Sequence, residues 1–136
     1  MSARTKARKR AVDAIFAADI RKTPPLTLLA LSKDQMVGHQ NQDEIFDYAR
    51  VLVEGVIDKH GEIDDQIETF SQGWSLERMP ALDKAILRVA LWEILFNDEV
   101  PDAVAIDEAV ELAKEYSTDD SGSFINGLLA RISSTK

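Results

Sequence analysis

The sequence predicts an all-α fold of seven helices. Apolar residues recur at helical spacing along most of the 136-residue chain. No segment shows sustained alternation of apolar and polar residues between turn signals, so we expect no strand. Prolines and glycines fall between the periodic segments, where helices usually begin and end. The elements below follow from these three observations.

The first helix is predicted over residues 4–21. Its apolar residues share one face: Ala7, Ala11, Ala14, Ile15 and Ala18. Residues 23–31 predict a turn and then a short helix that starts at about Pro25, because proline is favoured in the first helical turn. Residues 32–44 are polar and predict a loose connection.

The third helix is predicted from about Asp43 to His60, because Gly61 is a residue type typical just beyond a helix end. A fourth helix is predicted over residues 62–70, stopping near Gly73. Both segments carry apolar residues at helical spacing among many charged ones. We therefore expect each of them to bury one face only.

The fifth helix is predicted to begin at about Pro80 and to be the buried central helix, because residues 85–96 are apolar almost all round. Pro101 opens the sixth helix, and the seventh covers residues 119–132. A cluster of capping residues begins the seventh: Asp119, Asp120 and Ser121. With short connections throughout, the helices predict a bundle that forms a single domain over residues 1–136.

The composition excludes several kinds of site. The chain has no cysteine, which excludes disulfides, thiolate nucleophiles and cysteine-based metal centres. His39 and His60 lie far apart without neighbouring ligand residues, so we expect no metal and no cofactor. The glycines occur singly, which argues against a phosphate-cradling loop. Carboxylates at helical spacing are typical of a solvated face, and we expect no enzyme.

The sequence also predicts a cytoplasmic protein without membrane association. The most apolar stretch, residues 85–96, is too short to span a bilayer and contains Arg88 and Glu93. The basic N-terminal segment is not followed by the continuous apolar run of a signal peptide. The absence of cysteine fits a reducing compartment.

Charge is distributed unevenly along the chain. The formal net charge is −8, yet residues 1–22 carry seven basic and two acidic side chains, a net charge of +5. The remaining residues carry a net charge of −13. A net negative charge argues against indiscriminate coating of nucleic acid, but a local basic segment can still bind a polyanion at a defined place.

The first helix separates its cations from its buried side. Lys6, Lys9 and Arg10 lie opposite the Ala-rich face, and Arg4 and Arg8 lie nearer the edge. A second apolar stripe runs beside Lys9: Val12, Phe16 and Ile20. Cations in a first turn oppose the helix dipole, so local stability does not explain them. An aromatic ring beside clustered cations suits stacking on unpaired bases. The alternatives are a solvated basic face with extra core contacts, and a homodimer face.

Residues 119–129 are the second candidate region. The free N–H groups at the start of this helix can be capped by its acidic and hydroxyl residues or can receive a phosphate. Phe124 and Asn126 lie in its first turns. The structural alternative is that Phe124 is a core residue and Asn126 is incidental.

Five segments occur in a specific order and spacing: LVEGV (52–56), IDDQI (63–67), GWSLERMPALDKAILRVALWEIL (73–95), VPDAVAIDEAVELAKEYS (100–117) and SFINGLL (123–129). Together with the basic N-terminal KARKRAVDAIFAAD, they resemble the NusB family of bacterial transcription antitermination factors, in particular its actinobacterial members. The resemblance implies two packed helical bundles. It also implies binding of boxA-type single-stranded RNA in ribosomal RNA leader transcripts, together with NusE, a small-subunit ribosomal protein. The pair would join NusA and NusG on RNA polymerase, without catalysing a reaction.

The resemblance also implies roles for particular residues. RNA contacts are implied for Arg4, Lys6, Arg8, Arg10, Phe16, Asp120, Phe124 and Asn126. Contacts with NusE are implied for Asp83 and Arg88, although their division between protein and RNA stays open. The sequence departs from the family pattern by losing positive charge at Thr5, Gly122 and Ser123, and an acidic residue at Ala130.

Two other functions compete with this hypothesis. In the first, the protein is an acidic helical adaptor that binds a basic ribosomal protein without touching RNA. The net charge of −13 on the residues outside the first helix would then provide the binding surface. In the second, the protein resembles the NusB-like domains that precede RNA cytosine methyltransferase domains. The chain contains no catalytic half of that kind, so we expect no methyltransferase activity.

Overall fold

The computed structural model describes residues 1–36 and 38–136 and confirms seven α-helices, with no strand among these residues. The helices are α1 (Ala3–Arg21), α2 (Pro25–Gln35), α3 (Gln42–Asp58), α4 (His60–Phe70), α5 (Ala81–Phe96), α6 (Asp102–Tyr116) and α7 (Asp119–Ser134), with a 3-10 turn at Leu76–Arg78. Within these residues, no helix is both long and apolar enough to cross a membrane.

Two predicted boundaries are wrong. Helix α2 continues to Gln35, so the connection predicted over residues 32–44 is shorter, and Val37 within it lies outside the described residues. Gly61 does not follow the end of α3; it lies in the first turn of α4, because the chain turns at Lys59 and resumes helical geometry at once. The capping assignment for α7 also changes, since Thr118 accepts the N–H of Ser121.

The helices form two bundles joined by α5. Helices α1, α2 and α3 pack against one another, while α7 packs against α4 and α6. Helix α5 packs against α1 and α3 on one side and against α4, α6 and α7 on the other. This confirms both the two-bundle architecture and the central, buried position expected of the fifth helix.

A single continuous apolar cluster fills the space between the helices. Leu52, Ile63, Leu87 and Leu128 come from four different helices and are completely buried. Burial of each such side chain contributes about 1.5–3 kcal/mol relative to exposure. The cluster fixes the orientation of α1, and therefore decides which of its side chains face solvent.

Candidate nucleic-acid interface

Arg8 is not on the basic surface. Its side chain is only 5% exposed, and its guanidinium binds Glu93 of α5 through two hydrogen bonds, from Nε to Oε1 at 2.8 Å and from Nη2 to Oε2 at 3.0 Å. Nη1 also donates to Glu108 of α6 at 3.3 Å. Because these contacts occupy the buried guanidinium, the structure gives no support to the RNA contact predicted for Arg8, which instead fastens α1 to the rest of the fold.

The buried ion pair belongs to a larger polar network. The hydroxyl of Tyr48 donates to Glu93 and accepts a hydrogen bond from Asn97 Nδ2 at 3.1 Å. Burial and the bond to Glu93 raise the pKa of Tyr48 well above its usual range. Thr5 Oγ1 donates to Glu108 at 2.6 Å. Since every member has a partner, the network can be accommodated inside the bundle.

Arg4 lies at the edge of this network. Its guanidinium carbon is 4.4 Å from the centre of the Tyr48 ring, and Nη2 is 3.7 Å from Glu99 Oε2. The side chain remains about half exposed. Arg4 is therefore accessible to a ligand at the N-terminal end of α1, although it lies away from the helix face that carries the other cations.

Three cations share the outer side of α1. Lys9 donates to Glu115 Oε1 at 2.6 Å and lies 5.1 Å from the centre of the Tyr116 ring. The hydrogen bond to Glu115 raises the pKa of Lys9, which stays charged at neutral pH. Lys6 is exposed, and Arg10 is half-buried. Among the described residues, neither Lys6 nor Arg10 has a carboxylate within 4.0 Å.

The apolar stripe beside Lys9 is divided between core and surface. Val12 is completely buried, which agrees with the alternative of extra core contacts for this member of the stripe. Phe16 is half-buried, and Ile20 is 59% exposed at the end of the helix. At about 100° per residue, Phe16 and Ile20 fall on the same side of α1 as Lys6 and Lys9. A ring and an aliphatic side chain thus accompany the cations.

The start of α7 carries three of the predicted residues. Asp120 and Asn126 are exposed, and Phe124 is half-buried. The Phe124 ring meets Trp74 edge to face, with ring centres 4.7 Å apart and an interplanar angle of 70°. Sequence reasoning missed Trp74, which is 37% exposed in the connection after α4. An aromatic residue beside a glycine between two helices was the available signal.

The two residues assigned to NusE are engaged within the chain. Asp83 is only 1% exposed and accepts a hydrogen bond from Ser121 Oγ at 3.1 Å. Burial raises the pKa of Asp83. Arg88 binds Asp64 through two hydrogen bonds of 3.0 and 3.1 Å, and both side chains are mostly buried. The structure therefore gives no support to a partner contact by Asp83, and Arg88 could make one only by giving up its ion pair with Asp64.

The end of α6 links the two candidate regions. At the start of α5, Asp83 contacts Ser121 of α7, while Lys84 Nζ lies 3.6 Å from Asp19 Oδ2 of α1. Side chains at the end of α6 meet α1, since Lys9 donates to Glu115 and lies beside the Tyr116 ring. Lys9 of α1 therefore lies beside the end of α6, three residues before α7 begins, although α1 and α7 are about 100 residues apart in sequence.

This arrangement is suited to binding a polyanion. Cations without internal partners can contact phosphates, and half-buried rings can stack on bases. Among the described residues, no group of three or more metal-ligating side chains occurs. The fold and this surface define a class: small all-α proteins with a cationic, ring-bearing face on their first helix.

The comparisons with known proteins identify the family. A family model described as "NusB family" matches residues 5–134, and the chain belongs to the NusB family. The chain is 56% identical to a protein named transcription antitermination protein NusB from Leifsonia xyli, over all of this chain and 94% of that protein. It is 51% identical to the protein of the same name from Clavibacter sepedonicus, over 100% and 99% of the two chains.

Solved structures agree with this assignment. T. maritima NusB superimposes with a TM-score of 0.86 at 32% identity, covering 96% of this chain and 90% of that one. A chain from a crystal structure of the antitermination factors NusB and NusE with double-stranded RNA gives a TM-score of 0.87 at 25% identity, covering 100% and 99%. The resemblance to the NusB family is thereby confirmed across the whole chain.

Proposed function

We propose that this protein is a transcription antitermination factor that binds single-stranded boxA-type RNA together with NusE. Residues 1–136 act as one RNA-binding domain in the cytoplasm, without a cofactor and without catalysis. NusA, NusG and RNA polymerase complete the assembly in which it works. The observation that carries the proposal is that Lys6 and Arg10, on the outer side of α1, lack carboxylate partners among the described residues of a strongly acidic chain.

The proposed RNA surface consists of Arg4, Lys6, Arg10, Phe16, Asp120, Phe124 and Asn126. The cations contact phosphates and fix the strand on α1, and the two rings stack on unpaired bases. Asp120 and Asn126 form hydrogen bonds with the edges of bases. The carboxylate of Asp120 accepts from base amino groups, and the amide of Asn126 can both donate and accept. Lys9 belongs to the same surface, with its charge partly matched by Glu115.

NusE is proposed to dock on the acidic part of the molecule. Outside residues 1–22 the chain carries a net charge of −13, which complements a basic ribosomal protein. The relative solved with NusE and RNA has the same fold over the whole chain, which supports simultaneous binding of both partners. Since Asp83 is buried and Arg88 is paired internally, this surface is formed by other, exposed acidic residues.

The test is a titration of fluorescently labelled boxA RNA by anisotropy, with and without purified NusE, at two salt concentrations. We expect NusE to raise the affinity at least tenfold, and we expect log K to fall linearly with log salt because bound cations displace counterions. No RNA binding under any of these conditions would contradict the proposal.

A second candidate function follows from the charge distribution. If the acidic surface alone carries the function, the chain is an adaptor for NusE and the basic segment contributes only solubility. Photo-crosslinking of the protein–NusE–RNA mixture separates the two. Crosslinks from RNA to residues 4–16 favour direct RNA binding, whereas NusE binding without any such crosslink favours the adaptor.

Sedimentation of the same samples tests whether Phe16 and Ile20 instead form a homodimer face.

A further inference from the structure

A groove opens beside the basic side of α1 and has a volume of about 410 Å3. Helix α1 forms one wall, the first turns of α3 together with Met36, His39 and Gln40 form the other, and Tyr116 at the end of α6 adds to the lining. Its lining includes Lys6, Arg10, Met36, His39, Gln42 and Tyr116. Sites for small molecules have volumes of about 300–1,000 Å3, so this groove is large enough for one compact ligand.

The charge of the groove favours an anion. Lys6, Lys9 and Arg10 contribute to the lining, whereas Asp13 is the one acidic residue among the lining residues. The half-buried Arg10 makes one side-chain hydrogen bond among the described residues, from Nη2 to the Met36 sulfur at 3.6 Å. A thioether is a weak acceptor, so most of the guanidinium's donors have no acceptor from the described residues and are available to a ligand in the groove. A phosphate oxygen would satisfy them with charge-assisted hydrogen bonds.

The rest of the lining suits a planar, partly polar group. Met36 and Tyr116 are half-buried, and Ile45 and Phe46 lie behind them as buried residues. Together they provide apolar surface on which a ring can lie. Gln42 Nε2 donates to the Lys33 carbonyl at 2.9 Å, which fixes the amide, and Gln42 Oε1 has no donor among the described residues. This oxygen is an acceptor for a base amino group.

We propose that the groove binds one nucleotide, with its phosphate on Arg10 and Lys6 and its base on the apolar surface beside Gln42. The inference rests on the proposed RNA-binding function, because the nucleotide is supplied either by a base turned out of the bound RNA strand or by a free nucleotide. Both sources present the same chemistry to the groove. A base that enters the groove is unstacked from its neighbours, so the site selects single-stranded over paired RNA.

The test follows the amide signals of the Gln42 side chain and the ring signals of His39 by NMR in the full chain. Separate titrations use inorganic phosphate, a nucleoside monophosphate and a single-stranded boxA RNA. A second RNA series replaces one nucleotide at a time by an abasic residue. In the RNA titration we expect both signals to shift. One abasic position should weaken binding about tenfold, as loss of one stacked base does.

Variants make the assignment specific. Arg10→Met should abolish the shifts and the abasic effect, whereas Arg21→Met, which removes an exposed cation at the other end of α1, should leave both unchanged. Gln42→Ala serves as a second variant if Arg10→Met melts at a lower temperature than the parent. We expect Gln42→Ala to weaken binding of the intact RNA more than binding of the RNA that is abasic at the sensitive position.

The outcomes separate the groove from the overall function. RNA binding without shifts at Gln42 and His39, and without a sensitive abasic position, overturns the groove while the proposed function stands. Shifts with the monophosphate in a protein that does not bind RNA support the groove with a free nucleotide and contradict the proposed function. Equal shifts and affinities for inorganic phosphate and for the monophosphate overturn the role assigned to the base.

Discussion

Replacement of Arg8 by methionine tests whether this arginine holds α1 in place. The substitution keeps the length and apolar stem of the side chain but removes two hydrogen bonds to Glu93 and one to Glu108. Glu93 is only 1% exposed, so its carboxylate would remain buried with the Tyr48 hydroxyl as its remaining donor among the described residues. Removal of one partner of a buried ion pair costs about 3–5 kcal/mol.

The loss is measurable by urea and thermal unfolding monitored by circular dichroism at 222 nm. For a domain of this size, about 3–5 kcal/mol lowers Tm by about 10–20 °C. The matched control is Lys6→Met, which removes a cation from an exposed position of the same helix and should change the free energy of unfolding by less than about 0.5 kcal/mol.

A double variant, Arg8→Met with Glu93→Met, isolates the cost of the unpaired charge. Because an entire buried pair can often be replaced by apolar residues at little cost, the double variant should recover at least half of the stability lost in Arg8→Met. The reasoning would be refuted by an Arg8→Met protein that unfolds within 1 kcal/mol of the parent, or by a double variant less stable than Arg8→Met alone.

Three further predictions concern packing and pH. Gly55→Ala should destabilise the fold by about 1–3 kcal/mol in urea unfolding, because a Cβ there would overlap the indole of Trp92 where α3 meets α5; an unchanged midpoint would contradict the close approach. Asp83→Asn should be more stable than the parent at pH 7, since burial raises the pKa of Asp83 in the folded state and its ionisation opposes folding. This advantage should disappear as the pH falls below the unfolded-state pKa of about 3.9. Thermal melts between pH 3 and 8 measure it, with the exposed Asp120→Asn as control. A difference in Tm between Asp83→Asn and the parent that stayed constant with pH would contradict the prediction. Trp74→Ala should lose the edge-to-face contact with Phe124, worth about 0.5–1.5 kcal/mol beyond burial, and a double-mutant cycle with Phe124→Ala that gives no coupling energy would refute that contact.

The helices could be predicted from the sequence because each depends on local periodicity and end signals. The buried α5 followed from its continuous apolar residues, and α6 and α7 followed from Pro101 and the polar cluster at residues 119–121. Helix α2 was predicted too short, because its last turn is polar and its helical state depends on packing against α1 and α3. Local composition cannot predict that contact.

The candidate site was harder to predict because it depends on partners distant in sequence. Arg8 was placed near the edge of the basic face, yet it lies four residues before Val12 and seven before Ile15, both of them core positions. Glu93 within the apolar α5 was the complementary signal, since a carboxylate on a buried helix requires a partner. The pairing itself joins residues 85 positions apart and follows only from the packing of α1 on α5.

The central claim, that the outer side of α1 binds RNA, is tested most directly by reversing its two unpartnered cations. The variant Lys6→Glu/Arg10→Glu is compared with Arg50→Glu/Lys136→Glu, which makes the same change in net charge elsewhere on the surface. Labelled boxA RNA is titrated with each protein in the presence of NusE at several salt concentrations. We predict that the first variant binds at least tenfold more weakly, with a log K against log salt slope smaller by roughly 1.4 for two lost phosphate contacts on a single strand, while the second matches the parent within twofold. Equal affinities and equal salt slopes for the first variant and the parent would contradict the account.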